Sequence, residues 1–240
     1  MNRVLIFHTN YLGLTRREHG YQEAGEDTPL ERWHHWKQHY SQFGHDVRCF
    51  HDGAVAMGQP IYPSEIFNEY SVYNDPAIVW GAGDRIGRPA LDNWAGLRYY
   101  FAQGLLWGLR HGYEIFAYIE SDCYTCQQHD ARIIKLLEGE GLGESDIINA
   151  IDPSAGTSLM IMGQVAACRC VDYFSKAVNV FATDREHIFE NQMSRIPGTN
   201  RRFELAGYRL EGNSADSIPA SSEYLTQVNT YERVKAFIGE

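Results

Sequence analysis

The chain has 240 residues, 44% hydrophobic and 22% charged, a composition that excludes a disordered tail and can build one hydrophobic core without disulfides or a structural metal. Its 21 Lys plus Arg face 31 Asp plus Glu, for a formal net charge of -10. That balance argues against a groove that tracks phosphates, and so against nucleic acid as a partner.

Val4-Leu5-Ile6-Phe7 is a short apolar run that meets His8, Thr9 and Asn10, as a strand buried on both faces should. The run is far shorter than a secretory core or a membrane span. A cytoplasmic chain without a transmembrane segment is therefore expected, at most peripheral at a membrane. Thr28-Pro29-Leu30-Glu31 combines a capping box with Pro at the first helical position, and Leu30, Trp33, Trp36, Tyr40 and Phe43 continue at helical spacing to Gly44. These signals predict a helix over 29–43. Asp46 to Phe50 reads as a second strand that delivers His51-Asp52-Gly53 at its carboxyl end. From Gly58 to Arg88 only Ala77 to Trp80 is strand-like, and Gly81 to Arg88 is expected to be a mobile loop.

Trp94, Leu97, Phe101, Leu105 and Leu109 form an apolar stripe, with Asp92 or Asn93 as a cap and Gly112 as a left-handed stop. Glu114 to Ile119 is the next strand, and Glu120-Ser121-Asp122 stands at its carboxyl end. Beyond it a helix is expected over 129–138, strands over 146–151 and 157–162, and a helix over 164–177. Arg185 to Met193 reads as a short helix, Phe203 to Leu210 as a strand, and Ser221 to Ile238 as a closing helix. Alternating strands and helices predict an α/β layered fold. No internal repeat or linker divides the chain, so a single domain is expected.

The five cysteines, Cys49, Cys123, Cys126, Cys168 and Cys170, are an odd number without a secretion signal, which favours reduced thiols. Cys123-x-x-Cys126 with Cys168-x-Cys170 would offer four thiolates to zinc, although the second pair is tighter than common structural zinc knuckles. Cys123 to Cys126 also has the spacing of a redox pair. The plainer expectation is small thiols that fill gaps. His35 and His39 share a helical face without the Glu of a His-Glu-x-x-His motif and read as surface histidines.

In open α/β sheets ligands bind beyond the carboxyl ends of the strands. Glu120-Ser121-Asp122 occupies such a place, and two carboxylates one residue apart suit a hard divalent cation, Mg2+ or Mn2+, that also grips diphosphate oxygens.

Several segments together resemble a glycosyltransferase of the GT-A fold. They are His8-Thr9-Asn10 after the first strand, His51-Asp52-Gly53 after the second, the helix Trp94 to His111, and Glu120-Ser121-Asp122 in the place of the family's Asp-x-Asp motif. Gly156-Thr157-Ser158 before an apolar run, Phe189-Glu190-Asn191-Gln192 and Gly207-Tyr208-Arg209-Leu210 resemble the acceptor half of its inverting members. The likeness covers residues 1 to about 210. It implies a GT-A-like (Rossmann-like) mixed, mostly parallel sheet flanked by helices, with residues 1–125 as the nucleotide-sugar-binding half and 126–240 as the acceptor half and C-terminal helix. Three positions depart from the pattern: Glu120 replaces the first motif Asp, Asn191 takes the second place of a Glu-Asp pair, and no histidine follows His187.

By that resemblance, Asp122 binds the metal, Glu120 supports the metal or ribose, Thr9 contacts the donor nucleotide, Asp52 hydrogen-bonds its base or ribose, and Arg85 or Arg88 adds a phosphate clamp. Glu190 is the expected general base, with Asp152 in reserve. The implied partners are a nucleotide-sugar donor and a glycan or glycolipid acceptor, in polysaccharide synthesis. Two alternatives stand beside this reading. One is a zinc- or cysteine-based binding module. The other is a haloacid-dehalogenase-like phosphatase, in which Glu120 would replace the nucleophilic Asp.

Overall fold

The computed structural model describes residues 2–10, 27, 29–51, 75–80, 94–150, 158–177, 189–210, 214–228 and 230–239. Strand β1 (Val4–Asn10), helix α1 (Pro29–Ser41), β2 (Asp46–His51), β3 (Ile78–Trp80), α2 (Trp94–Arg110) and β4 (Ile115–Ile119) form the first half. The short β5 (Tyr124–Thr125), α3 (Asp130–Leu137), β6 (Asp146–Ala150), β7 (Leu159–Gly163), α4 (Gln164–Ala177), α5 (Phe189–Met193), β8 (Asn200–Leu205), β9 (Gly207–Arg209), β10 (Tyr224–Thr226) and α6 (Lys235–Ile238) follow. The main sheet has seven strands in the order β3-β2-β1-β4-β7-β6-β8. Among them β7 alone is antiparallel to its neighbours. The expected mixed, mostly parallel sheet is present.

Strand β1 shows why helices cover both faces, because its successive side chains point to opposite sides. Val4 and Ile6 pack in one core with Trp33, Trp36 and Tyr40 of α1 and with Ile133 and Leu137 of α3. Leu5 and Phe7 pack in the other with Phe101 and Leu105 of α2, Phe174 of α4 and Phe189 of α5. Each fully buried side chain of this size contributes about 1.5–3 kcal/mol relative to exposure. Helix α2 approaches β1 closely through two glycines one turn apart. A Cβ at Gly104 would stand 2.6 Å from the Phe7 ring, and one at Gly108 2.6 Å from Phe116 and 2.7 Å from Leu5.

The C-terminal quarter departs from expectation. No closing helix spans Ser221 to Ile238. Tyr224–Thr226 is a strand, Tyr231–Arg233 a 3-10 turn and Lys235–Ile238 one helical turn. The anticipated strand over 203–210 is two strands broken at Ala206. There the main chain bonds to Glu223 in both directions, and the chain passes from the main sheet into a second sheet ordered β5-β10-β9. Among the described residues no helix is long and apolar enough to cross a membrane.

Candidate functional site

The parallel strands β1, β2, β3 and β4 all end at the same edge of the sheet. Asn10 lies beside His51, and His51 beside Trp80. Phe7 pairs with Tyr118, so Thr9 and Glu120 each follow that last pair by two residues in their own strands' direction. The parallel pattern, which sends every crossover back to the opposite edge, therefore places Thr9 and the acid pair along one rim.

Glu120-Ser121-Asp122-Cys123 is a tight turn, closed by the Cys123 N–H donating to the Glu120 carbonyl at 3.0 Å. It is gripped from three directions. From the residue just before β7, the Ser158 carbonyl accepts from the Glu120 N–H at 2.8 Å, and the Ser158 hydroxyl donates to Glu120 Oε2 at 2.7 Å. From α1, the buried Tyr40 hydroxyl donates to the Cys123 carbonyl at 3.1 Å. From the tail, the Val228 N–H donates to the Asp122 carbonyl at 3.0 Å. Glu120 is half-buried and Asp122 is 9% exposed.

The turn carries a negative field. Burial pushes the Cys123 thiol well up, and the adjacent charges of Asp122 and Glu120 push it further. A cation would relieve that field. Mg2+ and Mn2+ held together with substrate phosphates take one or two protein carboxylates and fill the remaining positions with phosphate oxygens and water. Two oxygen donors on one fixed turn fit that shared mode. They do not make a self-contained metal site: among the described residues no group of three or more His, Cys, Asp or Glu side chains is arranged to hold an ion.

Of the other expected site residues, Asp52, Arg85, Arg88 and Asp152 lie outside the described residues, as do His187 and the Gly81 to Arg88 loop. Glu190 is the second residue of α5; its side chain lies outside the described part. Its helix is firmly seated, because Phe189 packs at 5.1 Å from Phe101, 5.4 Å from Phe174 and 6.3 Å from Tyr118, two residues before Glu120. The sequence reading missed the supports Tyr40, Thr226 and Val228. Ser158 was visible as the polar residue before an apolar run, but only the antiparallel β4–β7 pairing brings it to the end of β4.

Two expectations are corrected. The cysteine pairs cannot share one zinc, because Cys123 and Cys126 belong to the core on the α1 face of the sheet and Cys170 to the core on the other face. Burial pushes the Cys126 and Cys170 thiols up to about 12, away from the thiolate that metal binding or redox exchange needs. His39 is not at the surface: it is fully buried, with Nε2 2.9 Å from Thr125 Oγ1. Its helical neighbour His35 stacks on Tyr231 at 4.0 Å.

No protein-family model matches the chain, and no curated protein matches it. Solved structures do. A glycosyltransferase involved in the glycosylation of the major capsid of PBCV-1 is similar at 12% identity and a TM-score of 0.48, over 98% of each chain. A protein assigned as a nucleotide-diphospho-sugar transferase from Desulfovibrio desulfuricans G20 is similar at 12% identity and a TM-score of 0.48, over 84% of this chain and 80% of that one. HddC from Yersinia pseudotuberculosis, complexed with GMP-PN, is similar at 8% identity and a TM-score of 0.44, over 99% of this chain and 98% of that one.

Proposed function

We propose that this chain is a metal-dependent glycosyltransferase that moves a sugar from a nucleotide-sugar donor to a hydroxyl of a glycan or glycolipid. The observation that carries the reading is the braced acidic turn Glu120-Ser121-Asp122 at the carboxyl end of β4, on the rim where four parallel strands end. Asp122, with Glu120, would hold Mn2+ or Mg2+. When bound, the ion supplies positive charge for the diphosphate that leaves with the bonding electron pair.

The chain's own groups do the rest. Glu190 takes the proton of the acceptor hydroxyl as that oxygen bonds to the anomeric carbon and the bond to the diphosphate oxygen breaks, with Asp152 as the alternative base. Thr9 and Asp52 orient the nucleoside, and Arg85 or Arg88 pairs with phosphate oxygens. A single base facing the leaving group's opposite side corresponds to inversion at the anomeric carbon, and polysaccharide assembly in the cytoplasm is the setting proposed.

The test is release of nucleoside diphosphate from a panel of nucleotide sugars with Mn2+ and glycan acceptors. Turnover that is lost in a folded Asp122→Ala protein supports the reading. Full activity in that variant contradicts the metal assignment.

A further inference from the structure

We propose that Thr226 and Ser158 are positioning residues that fix Glu120 through a two-hydroxyl relay, a role that rests on the nucleotide-sugar reading above. The Thr226 hydroxyl donates to Ser158 Oγ at 2.9 Å, and Ser158 donates in turn to Glu120 Oε2 at 2.7 Å. Both hydroxyls are sealed from solvent, Thr226 at 1% exposure and Ser158 at 6%, while the acid they reach is half-buried at the rim. Every donor in the chain points the same way, toward the carboxylate, so each hydrogen bond polarises the next.

The same tail segment grips the second acid. Thr226 leads to Glu120, and two residues later the Val228 N–H holds the Asp122 carbonyl at 3.0 Å. Between them Gln227 has a φ of 59°, and no other non-glycine residue among those described has a positive φ. That left-handed turn lets adjacent residues face two different parts of the acidic turn. It costs about 1–2 kcal/mol in an L-residue, and such strain persists where the surroundings over-determine it, often at ligand sites.

A merely structural account explains why buried hydroxyls are satisfied. It does not explain why the relay ends on Glu120, since a half-buried glutamate is solvated at little cost and gives up roughly 1.5–2 kcal/mol of side-chain freedom when held still. Immobilising that carboxylate matters if its oxygen must meet a ligand in one geometry. The segment from Thr226 at the end of β10 to Val228, remote in sequence from the acids, then sets the geometry of both.

The experiment is titration calorimetry of UDP, GDP, CDP and dTDP with Mn2+, well below the melting temperature of each protein. Wild type is compared with Thr226→Val, Thr226→Ser and Ser158→Ala. Val keeps the shape of Thr226 without its donor, and Ser restores the donor. The expected result is that S158A weakens the manganese-dependent affinity for the preferred nucleotide about tenfold, as loss of a bond to a charged group does, and that T226V weakens it about fivefold, as loss of a bond between neutral groups does. T226S stays within about twofold of wild type. Because the readout is affinity in fully folded protein, a loss of stability alone would not move it. Wild-type affinity in folded T226V and folded S158A overturns the relay while leaving the activity intact. No manganese-dependent binding by wild type overturns the proposed activity and the relay together.

Discussion

The Val228 N–H donates to the carbonyl of Asp122 across 106 residues of chain at 3.0 Å, so the backbone of Asp122 is fixed independently of its side chain. Substitution of that side chain should therefore leave the turn in place. Asp122→Ala is expected to fold and to lose manganese-dependent nucleotide binding. Glu120→Gln, which keeps an acceptor for the Ser158 hydroxyl but removes the charge, should weaken binding less. Parallel melting curves and nucleotide titrations check both; an Asp122→Ala protein that binds as wild type would remove Asp122 from the site.

Glu190 is predicted to act on the chemical step. Glu190→Gln should lower kcat for transfer about a hundredfold or more, the scale of general-base catalysis, and leave nucleotide affinity within about twofold. Single-turnover rates alongside titration separate the two quantities. An unimpaired rate transfers the base role to Asp152, for which Asp152→Asn is the matching test.

The acidic limit of stability should depend on His39. Burial lowers its pKa from the ordinary 6.5 to about 4, so the folded state favours the neutral ring while the unfolded chain takes up a proton below 6.5. The stabilising contribution is complete above pH 6.5 and is lost as pH falls from 6.5 toward 4, by up to about 3 kcal/mol. Nε2 has one definite partner, because the Thr125 hydroxyl itself donates to Asp130 Oδ1 at 2.9 Å and so accepts from the His39 ring. Urea midpoints at pH 7.5, 6 and 5 should converge between wild type and His39→Gln as pH falls. Parallel profiles would show that His39 does not titrate in this window.

Close approach of α2 to β1 predicts an unusual sign for a helix-favouring substitution. Gly104→Ala improves helix propensity by about 1 kcal/mol, yet its methyl would stand 2.6 Å from the Phe7 ring. The steric term should win, with a net loss of about 1–3 kcal/mol. Gly44→Ala is a different case, since its Cβ meets no atom within 4 Å and only the φ of 75° opposes it; denaturation midpoints distinguish the two costs.

These elements also show which parts of the molecule were legible beforehand. Strands β1, β2 and β4 announce themselves as short β-rich runs and helices α1 and α2 by a single helical period, and Gly112, at φ 76°, ends α2 as anticipated. The tail misleads because Leu225, Val228 and Tyr231 recur at helical spacing behind serines that resemble caps. All three are instead buried in the α1-side core, with Tyr224 and Leu225 paired to Thr125 and Tyr124, so tertiary pairing overrides the local pattern. For the site, the acidic strand end could be read from residue type and position. Its supports could not, because Thr226, Val228 and Tyr40 reach it only through contacts between remote segments. His39 shows the same limit, since its helical position beside Trp36 and Tyr40 does not reveal that Thr125 and Tyr124 close over it.

The most direct test of the account is thermal stabilisation by UDP, GDP, CDP, dTDP and CMP, each with and without Mn2+. A ligand that binds only the native state at a hundred times its Kd contributes about 2.7 kcal/mol, which for a chain of this size raises Tm by roughly 5 to 10 °C. The account predicts such a rise with one nucleoside diphosphate, in the presence of Mn2+ and absent in Asp122→Ala. No shift with any nucleotide, with or without the metal, would contradict it.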